Sequence, residues 1–280
     1  MRSVKCLVAA GTASLLSSMA FAADLPYAPP YAPPAEEFGG WYLRGDIGFS
    51  NQSLKNVRDT NSAAFDNVAV AQTSSFDSAG IYGAGVGYQF NNWLRADFTG
   101  QYRGKSNFTG LDVVTGTGPF AGFVGTDVYN ATKSELLFLA NAYVDLGTWW
   151  GITPFVGAGI GTARVSIANF SDTGDFITLA GAQAHSINYA SEGSKWNFAW
   201  AAHAGLAYKV SPGLTLELAY SFVNLGSGIT GPTHSFDQVT NTTHAPFAFN
   251  NIISNDVKLG LRWELESPAV YAPPPLIRKG

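Results

Sequence analysis

The stretch FAWAAHAGLAYKVSPGLTLELAYSF, residues 198–222, decides the fold class. Apolar side chains take every second place: Phe198, Trp200, Ala202, Ala204, Leu206, Tyr208 and Val210, then, past a turn at Ser211, Pro212 and Gly213, Leu214, Leu216, Leu218, Tyr220 and Phe222. Successive side chains of a strand point to opposite faces, so this period of two predicts a hairpin with one apolar face. The other face is small or polar, with Asn197, His203, Lys209, Thr215, Glu217 and Ser221. Each arm runs for about a dozen residues, longer than the roughly 5–6 of an ordinary strand and close to the roughly 9–11 that cross a bilayer at a tilt.

Working outward, the same pattern recurs at residues 40–50, 78–90, 94–103, 133–146, 152–163 and 253–265, giving eight strands with the hairpin. The turns between the second and third, fourth and fifth, and sixth and seventh strands are short and odd in length, which keeps the apolar set on one face. The other four connections, residues 51–77, 104–132, 164–195 and 225–252, each have 27 residues or more and read as polar, irregular loops. Loops of that length are anomalous in a compact soluble domain, whereas outer-membrane barrels join short turns on one side with long loops on the other. The expectation is an all-β, eight-stranded antiparallel up-and-down transmembrane β-barrel with short periplasmic turns, four long extracellular loops and both termini periplasmic.

Alternation by itself leaves open which face is wet, and a secreted lipocalin-like barrel with an apolar cavity shares the strand count. The charges favour the membrane. Arg44, Asp46, Arg95, Asp97, Arg103, Glu135, Asp145, Glu217, Asp256, Lys258 and Arg262 all fall on the non-apolar face, with Lys209 and Glu264 at its ends. Such a set is costly against lipid but pairs inside a lumen, where an eight-stranded barrel is just wide enough for its side chains to fill it. Trp41, Trp93, Trp149, Trp150 and Trp263 fall at the short-turn end and Trp196 and Trp200 near the other, as two interfacial girdles would.

The chain ends frame this barrel, residues 39–265. Arg2 and Lys5 precede an apolar run, and Ala20-Phe21-Ala22 is a cleavage site, so residues 1–22 read as a secretory signal peptide. Residues 23–38 are a Pro-rich periplasmic spacer and residues 266–280 a Pro-rich periplasmic tail. Without residues 1–22 the chain has 14 basic and 20 acidic residues and no cysteine, since Cys6 lies in the leader. An acidic chain argues against nucleic acid as a partner.

The remaining motifs are weak. The rows GAGVG (83–87) and GAGIG (157–161) lack the spacing of a phosphate loop and read as room for bulky lumen neighbours. His203 falls opposite Ser221 with Glu217 nearby, a set that permits nucleophilic hydrolysis, but a lumen site is far from any lipid substrate and a hydrogen-bonded histidine is the expectation. His185, His234 and His244 are too scattered for a metal site. No enzyme activity, metal or cofactor is expected.

The segments GGWYLRGDIGFS (39–50), ITPFVGAGIGTA (152–163) and the opening hairpin resemble the small outer-membrane β-barrel surface antigens of α-proteobacteria, related to opacity-type proteins and the OmpA transmembrane domain. The resemblance implies a structural envelope protein in contact with outer-membrane lipid, lipopolysaccharide and the outer-membrane assembly machinery. It also implies a link from the amino group of a mature Ala-Asp terminus to peptidoglycan, a position that Ala23 and Asp24 occupy. A small porin or ion channel, and a loop-borne adhesin or ligand binder, are the alternatives. The chain departs from the family in continuing for fifteen residues after Leu265.

Overall fold

The computed structural model describes residues 39–61, 67–236 and 241–265. The leader, spacer and tail, and with them Ala23 and Asp24, lie outside the described residues. The strands are β1 (Gly40–Ser53), β2 (Asn56–Asp59), β3 (Val68–Phe76), β4 (Ala79–Gln89), β5 (Leu94–Gly116), β6 (Val124–Asp145) and β7 (Ile152–Ile177). They continue as β8 (Gln183–Ala190), β9 (Gly193–Ser211), β10 (Leu214–Ile229), β11 (Thr233–Phe236), β12 (Asn241–His244) and β13 (Phe247–Glu264).

Eight of these close into a ring in the order β1, β4, β5, β6, β7, β9, β10, β13, with β13 pairing back onto β1 and every ladder antiparallel. The registers fix its stagger. From Leu94 the ladder partners run Val144, Val156, Ala204, Tyr220, Val257, Phe49 and Gly80, and Gly80 is level with Gly104, ten residues further along the starting strand. A closed eight-stranded sheet with that shear tilts its strands by about 40°. A ring of eight strands is just wide enough for its inward side chains to fill.

Over the first ten or so residues from the short-turn end, the outward side chains form an apolar belt. Leu43, Ile47 and Phe49 on β1, Phe98 and Tyr102 on β5, Val156 and Ile160 on β7, and Leu259, Leu261 and Trp263 on β13 are all exposed. The four long connections differ from the irregular loops expected of them. β5, β6 and β7 run well past the belt as 23-, 22- and 26-residue strands; β3 pairs with β5, β8 with β7, β11 with β8, β12 with β11, and β2 with β13. We call this projecting part the crown.

The alternation continues into the crown, but its phase slips. The β5–β6 ladder shifts between Arg103 and Ser106, the β6–β7 ladder between Asn130 and Thr132, and the β10–β13 ladder twice, between Asn224 and Gly226 and between Gly226 and Gly228. At two of these bulges an asparagine, Asn169 or Asn251, takes a positive φ of 53°. An inserted residue exchanges the two faces of the strand beyond it. Phe108 and Phe170, in phase with the lipid-facing residues before their bulges, therefore point inward and are buried.

The two inward glycine rows leave space for aromatic rings. A Cβ on Gly87 would lie 2.3 Å from the Tyr42 ring, and one on Gly157 would lie 2.4 Å from the Tyr143 ring. Both tyrosines are buried in the lumen.

Candidate functional site: the lumen and the crown

The lumen is filled by ion pairs at belt height. Arg44 on β1 forks onto Asp46, with Nε to Oδ2 at 3.1 Å and Nη2 to Oδ1 at 2.8 Å, and its Nη1 reaches Asp97 Oδ2 at 2.8 Å. Glu217 on β10 stands among three guanidinium groups, Arg95 at 3.3 Å, Arg44 at 3.5 Å and Arg262 at 3.6 Å. Arg95 also meets Asp145 at 3.2 Å and lies between two rings, 4.3 Å from the centroid of Tyr143 and 4.7 Å from that of Phe155. The Tyr42 hydroxyl donates to Asp97, and the Arg262 guanidinium covers the Tyr42 ring. Lys258 lies in the fields of Asp46 and Asp256.

A second ionic group sits nearer the crown. Arg103 forks onto Asp256 at 2.5 and 3.0 Å and donates to Ser254, while Lys133 bonds Glu135 and Gln52 and lies over the Phe76 ring. All eleven charged residues assigned to the lumen from sequence are buried, none more than 7% exposed. Lys209 is exposed at the rim instead. Lys133 was missed, although it shares parity with Glu135 two residues on, because it stands at the edge of the expected strand.

His203 accepts or donates at Nδ1 with Ser221 Oγ at 2.8 Å, the contact its register predicts. Its Nε2 meets Asn141 Oδ1 at 3.1 Å, whereas Glu217 is engaged by the arginines. The carboxylate that a hydrolytic triad needs on the second ring nitrogen is therefore an amide here, and Asn141 passes the chain of hydrogen bonds on to Asp97 and Thr99. Among the described residues no group of acids, histidines or cysteines is placed to hold a metal ion.

Above the ion pairs the interior turns apolar. Phe76, Phe108, Tyr129, Phe170, Phe247 and Phe249 stack as a plug, with centroids 4.8 Å apart for Phe170 and Phe247 and 5.0 Å for Phe108 and Phe249. Val165, Ile167, Leu137, Leu139 and Leu225 complete that cluster. The plug lies in segments whose strand character the sequence reading missed.

Beyond the plug the crown interior carries three carboxylates. Asp112 on β5 is directly opposite Asp127 on β6, and Asp172 on β7 is opposite Tyr129. The Tyr129 hydroxyl donates to Asp112 at 3.1 Å, Asn188 donates to Asp172 at 3.1 Å, and Gln72 on β3 bonds both backbone groups of Val57, tying β3 to β2. Burial, with the neighbouring Asp172 and Asp112 carboxylates, pushes Asp127 up to about 7. Burial raises Asp172 to about 6 against the hydrogen bond from Asn188, and raises Asp112 as well.

The seven tryptophans are exposed on the outer wall or at its turns. Trp41, Trp93, Trp149, Trp150 and Trp263 stand at the short-turn end, Trp150 in the β6–β7 turn at φ 52°, and Trp196 and Trp200 stand on β9 toward the crown.

Several known proteins are similar to this chain. An uncharacterized protein of Brucella suis biovar 1 is 31% identical over 246 residues, 80% of this chain and 82% of that one. An adhesin candidate of Rickettsia massiliae is 26% identical over 262 residues, 92% of this chain and 98% of its own length. The crystal structure of Neisserial surface protein A covers 81% of this chain and 97% of that one at 15% identity, with a TM-score of 0.42. The family model described as the outer membrane protein beta-barrel domain matches residues 9–264, and the chain therefore belongs to that family of Gram-negative outer-membrane barrels.

Proposed function

We propose that the protein is a closed, non-catalytic barrel of the outer membrane that holds a rigid crown at the cell surface, its short turns and both termini facing the periplasm. The observation that carries this reading is the double closure of the lumen, by the Arg44–Asp97–Glu217–Arg95 network at belt height and by the Phe108–Phe170–Phe249 plug above it. A porin requires a wet path past both. Planar-bilayer recording of the refolded protein, with heat-modifiable gel mobility as the check on folding, tests the reading. A folded but silent barrel supports it, and steady, salt-dependent conductance steps overturn it.

A second reading, that the crown is an attachment surface, is favoured by the exposed Leu111, Val113, Val124 and Val128 on its outer face and by the description of the Rickettsia relative. Deleting residues 112–127, which removes the β5–β6 tip with Val113 and Val124 and leaves Phe108 and Tyr129 of the plug in place, abolishes adherence of expressing cells. Attachment of Ala23 to peptidoglycan is a separate element of the structural role. Purified cell walls in which every Ala23 keeps a free α-amino group sink it.

A further inference from the structure

On the outer wall, Gly100 of β5 faces the lipid between Ala84 of β4 and Phe138 of β6. Without a side chain there the wall is indented by a groove of about 420 Å³, bounded by Tyr82, Tyr102, Leu136 and Phe138. A Cβ on Gly100 would stand 3.2 Å from the Phe138 ring. The groove is apolar and lies in the crown-side half of the belt, where Tyr102 is the last large apolar side chain of β5 before the bulge.

Two cations stand at its upper end. Lys105 follows Tyr102 by three residues and is exposed, and Arg164 is the ladder partner of Leu136 and is also exposed. Neither makes an ion pair among the described residues, and the Arg164 guanidinium is bonded only to Ser194 Oγ, at 3.1 and 3.4 Å. They flank β6, so with strands about 4.8 Å apart their strands are about 10 Å from each other across the sheet, and Lys105, in the bulge opposite Ser134, stands about two residues further toward the crown than Arg164, opposite Leu136. Ser134 on β6 and Ser166 on β7, directly paired, add hydroxyls at the level of Lys105. Asp77, on the β4 side, is held by Asn107 Nδ2 at 3.0 Å. An apolar groove at hydrocarbon depth, capped at the water boundary by two cations without carboxylate partners, matches the two parts of an anionic lipid.

We propose that this stretch of wall binds one phosphate-bearing lipid of the outer leaflet, an acyl chain lying over Gly100 and the phosphate held by Lys105 and Arg164. The leaflet assignment rests on the crown facing outward; the binding itself does not.

The test is a titration of the detergent-extracted, delipidated protein with diphosphoryl lipid A and with its dephosphorylated form, read by native mass spectrometry. One molecule of diphosphoryl lipid A binds saturably. K105S/R164S, on the exposed outer wall, raises its Kd at least tenfold and leaves binding of the dephosphorylated form unchanged, whereas G100L raises both Kd values severalfold. Equal Kd values for the two lipids, or a Kd for diphosphoryl lipid A that K105S/R164S does not change, overturn the site, and the charge variant decides this even if G100L fails to fold. Orientation is read separately, with a Thr117→Cys variant at the crown tip and a membrane-impermeant maleimide. Labelling only after cells are broken overturns the outward crown and the outer-leaflet assignment, while the binding data stand or fall by themselves.

Discussion

At belt height the barrel is ionic inside and apolar outside; in the crown just past the bulges the inside is aromatic and aliphatic, with Asp112, Asp127 and Asp172 beyond it, and the outside carries Lys105, Asn107, Thr109, Asn130 and Thr173 together with the exposed Leu111, Val113, Val124 and Val128 of the β5–β6 tip. One continuous set of strands builds both. What changes is the medium beside the wall. Hydrocarbon accepts Leu, Phe and Val on the outer face and forces charge into the lumen, where each arginine must find carboxylates or rings. Once the strands leave the hydrocarbon, water restores the arrangement of a soluble protein, and the apolar set moves to the centre. The bulges beside Gly104, Asn169 and Asn251 let β5, β7 and β13 make that exchange without breaking their ladders.

The contrast is broken most severely at Arg44. Replacing it with leucine strands Asp46, Asp97 and part of the Glu217 field in a buried site, and loss of one partner from a buried pair costs about 3–5 kcal/mol. Urea unfolding of the refolded barrel should show that loss, with the heat-modified gel band weakened. Phe170→Ala should cost about 3 kcal/mol or more by opening a cavity in the plug. Its effect should stay in the crown: limited proteolysis between residues 104 and 132 accelerates, while the belt keeps its heat-modifiable mobility. If both variants unfold the whole barrel alike, the two interiors are one cooperative unit.

Gly87→Val probes the packing of the lumen, since its side chain would meet the Tyr42 ring; overpacking of this kind costs about 1–3 kcal/mol. A midpoint in urea equal to that of the unaltered protein would show that Tyr42 moves freely.

The mildest effect is on the crown alone. The folded values of Asp127, about 7, and Asp172, about 6, lie above the ordinary carboxylate value near 4. Raised carboxylates favour the folded state most when protonated. Their contribution is complete below pH ~4 and is lost as pH rises through 6 to 7. Crown proteolysis should be slower at pH 5 than at pH 8, and Asp127→Asn should flatten that dependence. A crown more resistant at pH 8 would contradict the placement of the three carboxylates.

The belt was legible in the sequence because its alternation is strict and its short turns keep parity. Arg44, Asp97, Glu217 and Asp256 could be assigned to the lumen by position alone, and His203 could be placed opposite Ser221. The crown was not legible. Past Tyr102 the face exchange at the bulge puts Phe108 in phase with lipid-facing residues by count while the ladder turns it inward. Asp112, Asp127 and Asp172 then looked like loop acids, although they meet across adjacent strands.

By itself the sequence determined the eight-stranded ring, its two faces and the charge content of its lumen, because a period of two against a membrane leaves one arrangement that hides the charges. Only the tertiary structure decided which carboxylate each arginine takes, that Asn141 rather than Glu217 meets His203, and that the long connections fold into a crown with an aromatic plug. Those depend on the ten-residue stagger around the ring and on where single inserted residues shift the register. Pairing of each strand with its neighbours around the ring sets both, and the periodicity of a single strand carries no trace of it.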